Sequence, residues 1–170
     1  MKALLSRVLA PAGCSDPNRL REAVQGKVVL LTGASFGIGA ALALRLGAAG
    51  ARLLIAARSV EPLEEVCNQV LRSGGFAQSY PLDLANPEQV DAVAQAILAE
   101  HGHVDVVIHN AGKSIRRPLM QSLDRAHDFQ RCMSVNYLGP VRLQLALLPS
   151  MIARRSGHIV NVSSVGVRLP

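Results

Sequence analysis

Residues 27–39 read Lys-Val-Val-Leu-Leu-Thr-Gly-Ala-Ser-Phe-Gly-Ile-Gly, an apolar run followed by three closely spaced glycines. The unbroken apolar run at residues 28–31 is typical of a strand that is buried on both faces of a parallel sheet. Gly33, Gly37 and Gly39 follow it, and an Ala/Leu-rich segment with helical spacing comes next. A buried strand, a glycine-rich turn and a helix N-terminus together predict a site for the phosphates of a dinucleotide.

Each glycine has its own physical role in such a turn. Gly33 lets the backbone turn sharply, Gly37 lets it approach a pyrophosphate without a Cβ in the way, and Gly39 lets the helix pack close to the strand. The alternative is an ordinary tight turn between a strand and a helix, which binds nothing. The predicted site also includes the residues between the glycines, Ser35, Phe36 and Ile38.

Composition limits the class of protein. The chain has 170 residues, of which 49% are apolar and 18% charged, as expected for one compact globular domain. Its net charge of +6 suits a ligand that carries phosphates, whereas no basic run with interleaved aromatic residues indicates nucleic-acid binding. The three cysteines are an odd number and widely spaced, which predicts reduced thiols in a cytoplasmic protein.

Residues 1–26 precede the first predicted strand and are interpreted as an N-terminal arm that is partly helical. Their short apolar patches resemble a signal peptide, but Arg7 interrupts the run and Pro11 stands where an aliphatic residue is preferred. No stretch of the sequence approaches the ~18 apolar residues of a membrane span. Residues 27–170 are therefore expected to form a single domain.

Strand and helix patterns alternate from residue 27 onward. The predicted strands are at about 28–31, 52–57, 76–82, 104–108 and 158–163. The predicted helices are at about 38–49, 59–72, 86–101 and 123–155. Such alternation predicts an α/β fold with a doubly wound parallel sheet. Because Pro140 and Pro149 lie inside the last helical region, we expect bends there.

The residues after the second predicted strand indicate which dinucleotide binds. An acidic residue in this place hydrogen-bonds the ribose 2′-hydroxyl of NAD and would repel a 2′-phosphate. Here Ala57 stands in that place and Arg58 follows. Because a guanidinium pairs with a phosphate through two parallel hydrogen bonds, the sequence favours NADPH. The alternative is a surface arginine at the mouth of a loop.

The pattern Thr-Gly-x-x-x-Gly-Ile-Gly at residues 32–39 resembles that of the short-chain dehydrogenase/reductase (SDR) family, and four more family motifs follow in order up to residue 170. The resemblance implies a Rossmann-type sheet of strand order 3-2-1-4-5. The cofactor-binding residues that it and the glycine turn imply are Gly33, Ser35, Phe36, Gly37, Ile38, Gly39, Arg58, Asp83, Leu84, Asn110, Ala111 and Gly112. Asp83 would accept a hydrogen bond from adenine, and the Asn-Ala-Gly backbone would pack against adenine and ribose.

The same resemblance implies two catalytic residues. Asn136 matches the family's structural and proton-relay asparagine. Ser164 matches the serine that polarises the substrate carbonyl, with Ser163 as the second choice. His109 replaces a more usual asparagine and is interpreted as a structural variant. His101 and His103 lack a third ligand nearby, so no metal is predicted.

Residues 111–117, 127–129, 136–139 and 165–167 resemble, more narrowly, bacterial fatty acyl-CoA reductases. These enzymes reduce an acyl-CoA thioester to the fatty aldehyde with NADPH. Arg116 and Arg117 follow the fourth strand, where a basic pair could meet the phosphates of coenzyme A. The alternative is a solvated basic loop.

The family also requires a Tyr-x-x-x-Lys pair about a dozen residues after the serine, in which the lysine favours the tyrosinate. Four residues after Tyr80 and Tyr137 stand Leu84 and Val141, so neither tyrosine fits. We therefore expect an N-terminal fragment of about five strands, inactive alone and a homo-oligomer when complete. Two alternatives stay open: an SDR that acts on an alcohol or ketone, such as a hydroxysteroid or hydroxy-lipid, and a non-catalytic nucleotide-binding module.

Overall fold

The computed structural model describes residues 17–164, which form a parallel sheet between two layers of helices. The helices are α1 (Pro17–Val24), α2 (Gly37–Ala48), α3 (Val60–Arg72), α4 (Pro87–His101), α5 (Ala126–Met133) and α6 (Gly139–Arg154). The strands are β1 (Val28–Thr32), β2 (Arg52–Ala57), β3 (Phe76–Pro81), β4 (Val106–His109) and β5 (His158–Asn161). Residues 1–16 of the predicted arm and the motif at 165–167 lie outside the described residues.

The five strands are all parallel and lie in the order β3-β2-β1-β4-β5, as expected. Every residue of β1 is buried, which explains its unbroken apolar run. The chain leaves β1 towards β2 on one side of it and returns from β3 to β4 on the other. In parallel sheets, a ligand crevice opens at the carboxyl ends of the strands where the order reverses in this way.

Alternate residues of the central strands face opposite layers. Leu53 and Ile55 pack in one core with α1, α2 and α3, whereas Leu54 packs in the other with α4 and α6. Each fully buried aliphatic side chain of this kind stabilises the fold by about 1.5–3 kcal/mol relative to an exposed one. The two cores hold the strands rigidly, so the loops at their carboxyl ends are well positioned. Among residues 17–164, no helix combines the length and the apolar character needed to cross a bilayer.

The last helical region, predicted over residues 123–155 with bends at its two prolines, is divided in the structure. It begins at Ala126, and a π-helical turn, Ser134–Leu138, separates α5 from α6. The Gly139 amide donates to the Ser134 carbonyl five residues back, and Pro140 next to it has no N–H to continue the normal ladder. Pro149 lies inside α6 without ending it. α6 ends at Arg154, and Arg155 after it has a left-handed backbone (φ 52°).

Asp105 anchors the amino edge of the sheet. Its carboxylate accepts hydrogen bonds from the Val28 amide (2.9 Å) and from Arg154 at the end of α6 (2.8 Å). Burial alone would raise the pKa of this carboxyl, but these two hydrogen bonds and the nearby charges of His103 and Arg154 lower it below its ordinary value. β4 begins at Val106, directly after Asp105, whereas the sequence predicted its start at about residue 104.

Candidate functional site

A cavity of about 480 Å³ opens at the carboxyl edge of the sheet, where the strand order reverses. Every residue predicted to bind a cofactor lines this cavity, except Gly37. Those residues are Gly33, Ser35, Phe36, Ile38, Gly39, Arg58, Asp83, Leu84, Asn110, Ala111 and Gly112. The other lining residues are Thr32, Ala56, Ala57, Ser59, Leu82, Lys113 and Val135. The structure thus gathers residues from the ends of four strands around one space.

The glycine turn between β1 and α2 depends on close backbone approaches. Gly33 has φ +68°, and a Cβ on it would lie 2.6 Å from the Ala111 Cα. A Cβ on Gly39 would overlap the Gly33 carbonyl oxygen and lie 2.6 Å from the Asn110 amide nitrogen. Gly37 differs from both, because a Cβ there would meet nothing within 4 Å. The backbone at Gly37 therefore faces open space in which a ligand could lie.

Thr32 and Asn110 join the glycine turn to the end of β4. The Thr32 hydroxyl donates to the Ile108 carbonyl (3.4 Å) and accepts from the backbone amides of Asn110 and Ala111 (3.2 Å each). The Asn110 side chain donates to the carbonyls of Thr32 and Gly33 (3.1 Å each). Thr32 begins the pattern at residues 32–39, but no role was predicted for it. A buried polar residue at the end of an apolar strand was the one signal that could have identified it.

Arg58 and Asp83 follow neighbouring strands and contribute opposite charges to the cavity. Arg58 is exposed, and within residues 17–164 its guanidinium has no ion-pair partner. One oxygen of Asp83 accepts from the Ala85 amide (3.0 Å), so this carboxylate stabilises the turn after β3 as well as lining the cavity. Asn86 caps α4 by accepting from the Gln89 amide (3.0 Å), at the position where this helix was predicted to begin.

Asn136 lies in the π-helical turn and clamps the loop after β4. Its carbonyl oxygen accepts from the Lys113 amide (2.7 Å), and its side-chain amide donates to the Lys113 carbonyl (2.8 Å). Asn136 itself does not line the cavity, although Val135 and Lys113 do. Its described role is therefore structural: it holds one wall of the cavity in place.

Ser164 is exposed and stands three residues after the end of β5. β5 pairs with β4 in a register that sets Asn161 opposite His109. The residues that follow these two strands, 162–164 and 110–113, therefore leave the sheet at the same edge. In the strand order, β5 lies next to β4 on the side away from β2, so Ser164 follows the strand beside the one that Lys113 follows.

His109 is buried at 5% exposure, and neither ring nitrogen has a hydrogen-bond partner among the described residues. Burial lowers the pKa of this histidine, because the low-dielectric surroundings disfavour the imidazolium. It does not line the cavity. The interpretation of His109 as a structural variant stays a prediction.

Tyr80 is likewise unsuited to proton transfer in the cavity. Its hydroxyl is hydrogen-bonded to Glu100 (2.6 Å) and lies 2.9 Å from the His101 ring nitrogen. Burial and the carboxylate of Glu100 raise the pKa of this tyrosine above its ordinary value. His103 lies 3.3 Å from Asp105 instead of beside His101, and no three candidate metal ligands gather anywhere in residues 17–164.

The two arginines of the predicted basic pair, Arg116 and Arg117, have different surroundings in the structure. Arg117 forms an ion pair with Asp128, which also accepts from Arg125 (2.9 Å). Arg116 is exposed and has no ion-pair partner within the described part of the chain. Of these two arginines, Arg116 is therefore the one whose charge no described acidic residue compensates.

The residues present fit a dinucleotide. A volume of 480 Å³ is within the range of small-molecule and cofactor sites, and the cavity lies where such sites form in parallel sheets. The free amides at the start of the twelve-residue helix α2 favour phosphate there. At Gly37 no protein atom lies within 4 Å of the position that a Cβ would take, so the backbone is accessible there.

Comparison with known proteins identifies relatives of the same kind. A family model described as short chain dehydrogenase matches residues 27–170. The fatty acyl-CoA reductase of Acinetobacter baylyi is 52% identical over 147 residues, which cover 86% of this chain and 50% of that protein. This chain spans about half the length of the curated relatives it matches.

Two solved structures share the fold. A metagenomic short-chain oxidoreductase in complex with NADP has a TM-score of 0.81 and 39% identity, covering 87% of this chain and 66% of its own. An NAD⁺-bound xylitol dehydrogenase has a TM-score of 0.78 and 32% identity, covering 86% and 56% of the two chains. The motifs, the Rossmann-type sheet and these matches agree, and the chain belongs to the short-chain dehydrogenase/reductase family of oxidoreductases.

Proposed function

We propose that this chain forms the cofactor-binding half of an NADPH-dependent reductase that converts a fatty acyl-CoA thioester to an aldehyde. The observation that supports NADPH best is the pair Ala57 and Arg58 at the end of β2. No acid is available there to bind the ribose 2′-hydroxyl of NAD, and Arg58 presents an uncompensated guanidinium to the cavity. A 2′-phosphate is the ligand group that satisfies it.

In the proposed reaction, one acyl-CoA, one NADPH and one proton give one aldehyde, one free coenzyme A thiol and NADP⁺. The bound nicotinamide supplies the hydride. Ser164 donates a hydrogen bond to the thioester oxygen and stabilises the negative charge that develops on it. Asn136 keeps the loop after β4 in position through both of its bonds to Lys113. The glycine turn and the start of α2 hold the phosphates.

The acyl-CoA substrate is supported by the similarity to the A. baylyi enzyme and by the charge at Arg116. Because Arg117 is neutralised by Asp128, Arg116 is the residue of the basic pair that we assign to the phosphates of coenzyme A. Reduction of a ketone or alcohol is the competing function. The fold shared with a xylitol dehydrogenase favours this function, but the identity to that protein is 32%, against 52% for the A. baylyi reductase.

Replacement of Arg58 by alanine should weaken NADPH binding about tenfold or more and leave NADH binding nearly unchanged. A charge-assisted hydrogen bond contributes about 1.5–3 kcal/mol, and only NADPH carries the phosphate that receives it. Fluorescence titration of both dinucleotides measures the two dissociation constants. Arg45→Ala, which removes the same charge from an exposed site outside the cavity, is the matched control. Equal losses for NADPH and NADH would contradict the assignment.

The substrate is tested in a chimaera that joins residues 27–170 to the part of the A. baylyi reductase that this chain does not match. Long-chain acyl-CoA should support NADPH oxidation, with one free thiol released for each NADPH consumed. A thiol-reactive dye and the absorbance of NADPH measure the two rates together, and the parent reductase is the control. If ketones or alcohols react and acyl-CoA does not, the thioester assignment is wrong and the oxidoreductase assignment stands.

We also propose that the complete enzyme works in the cytoplasm as a homo-oligomer. Cys67 and Cys132 are free thiols, which supports a reducing compartment.

Large apolar side chains recur every four residues on the exposed side of α5, the π-helical turn and α6. They are Phe129, Met133, Tyr137, Val141 and Leu145. Such a stripe supports packing against another helical surface. Sedimentation of the chimaera measures its state, and a monomer at all concentrations contradicts the oligomer.

A further inference from the structure

Lys113 is a charged residue of the cavity for which the sequence analysis assigned no role. It follows Gly112 in the loop after β4, lines the cavity and is partly buried. Within residues 17–164 its side-chain ammonium has neither a hydrogen-bond partner nor an ion-pair partner. When the ammonium of a lysine that lines a cavity has no protein partner, it is available to an anionic ligand.

The backbone of Lys113 is held more firmly than that of an ordinary loop residue. Both its amide and its carbonyl are bonded to the Asn136 side chain, at 2.7 and 2.8 Å. Two residues earlier, Ala111 lies against Gly33, and its amide is bonded to Thr32 (3.2 Å). The start of the Lys113 side chain is consequently fixed in relation to the glycine turn.

Charge around the cavity is arranged on both sides of that turn. Among the charged residues that line it, Arg58 follows β2, Lys113 follows β4 and Asp83 follows β3. β1 lies between β2 and β4, so the glycine turn that follows β1 has one cation on either side. Asp83 is on the far side of Arg58, at the edge strand, and does not neutralise Lys113.

From these positions, each of the two cations can be assigned to a different phosphate group of NADPH. The 2′-phosphate belongs to the adenosine end, which we assigned to Arg58 and Asp83. The diphosphate belongs to the turn and to the first amides of α2. We infer that Lys113 binds the diphosphate of the dinucleotide from the β4 side, opposite Arg58. This inference rests on the proposed function, and it predicts a contact that NADPH and NADH share.

The test uses two substitutions at this position and one elsewhere in the chain. Lys113→Met removes the charge with little change in length, and Lys113→Arg retains the charge. Lys27→Met is the control, because Lys27 precedes β1 at the opposite edge of the sheet and carries the same charge. Thermal unfolding of each variant checks that the fold is intact.

Titration of the 170-residue chain with NADPH and with NADH should give dissociation constants about tenfold higher for Lys113→Met with both dinucleotides, the loss typical of one charge-assisted hydrogen bond. Lys113→Arg and Lys27→Met should stay within about twofold of the wild type, since neither removes a positive charge from the cavity. The loss should shrink as salt is raised, because screening weakens the contact in the wild type.

A third ligand distinguishes the contribution of Arg58 to binding from that of Lys113. Adenosine 2′-monophosphate carries the 2′-phosphate and lacks the diphosphate. Its dissociation constant should therefore rise in Arg58→Ala and should be unchanged in Lys113→Met. Unchanged NADPH and NADH affinities in Lys113→Met, or a loss with NADPH alone, would overturn the inference and leave the proposed function standing. A wild-type chain that binds neither dinucleotide would overturn both.

Discussion

Replacing Gly39 by alanine is expected to abolish dinucleotide binding. The new Cβ would overlap the Gly33 carbonyl oxygen and would lie 2.6 Å from the Asn110 side-chain nitrogen. Neither neighbour can yield easily, because Asn110 is itself bonded to the carbonyls of Thr32 and Gly33. Relief of the overlap therefore requires α2 to move away from the end of β1, which displaces the amides that receive the phosphates. Overpacking of this kind also costs about 1–3 kcal/mol of folding stability.

Fluorescence titration and thermal unfolding measure the two effects of Gly39→Ala. Gly74→Ala is the control, since Gly74 lies in the turn between α3 and β3, does not line the cavity, and a Cβ there meets nothing within 4 Å. Its positive φ of 81° makes that substitution destabilising without touching the cavity. The steric account fails if Gly39→Ala binds NADPH within threefold of the wild type.

The second large effect is expected at Ser164. In the chimaera with the A. baylyi reductase, Ser164→Ala should lower turnover about a hundredfold, the loss typical when one donor to a developing oxyanion is removed. The dissociation constant for NADPH should stay unchanged, because Ser164 does not line the cavity that holds the cofactor residues. Steady-state rates and a cofactor titration on the same preparation separate the two quantities.

Ser163→Ala serves as the neighbouring control for this prediction. Both serines are exposed and follow β5, so they differ chiefly in which way the chain directs their hydroxyls. A milder loss at Ser163 than at Ser164 supports the assignment of the second serine. The reverse order would transfer the role to Ser163, and near-normal turnover in both variants would remove the proposed oxyanion contact.

Most of the fold follows from local patterns. The apolar run before Gly33 predicts a doubly buried strand, and β1 is buried at every residue. Asn86 with Pro87 predicts the start of α4, and the Asn86 side chain caps it. The last helical region was predicted to bend at Pro140, but local pattern does not show that the turn before this proline widens to a π-helical one.

The candidate site was predictable where it depends on short motifs. The glycine turn, Arg58, Asp83 and the Asn-Ala-Gly segment all stand at the ends of predicted strands, and parallel strands present those ends at one edge. The sequence therefore supplied the cofactor residues, and the resemblance supplied the roles of Asn136 and Ser164. The binding roles themselves remain predictions.

The sequence by itself thus determined the alternation of strands and helices, the glycine turn and the absence of an acid after β2, since each depends on residues that are close in the chain. Only the tertiary structure decided that Thr32 and Asn110 join two strands, that Asn136 clamps Lys113, and that Asp128 neutralises Arg117. The bonds between Thr32 and Asn110 span 78 residues, and the clamp on Lys113 spans 23. Local periodicity reports which face of a strand or helix is buried, whereas the partner of a polar side chain depends on which distant segments the packed sheet brings together.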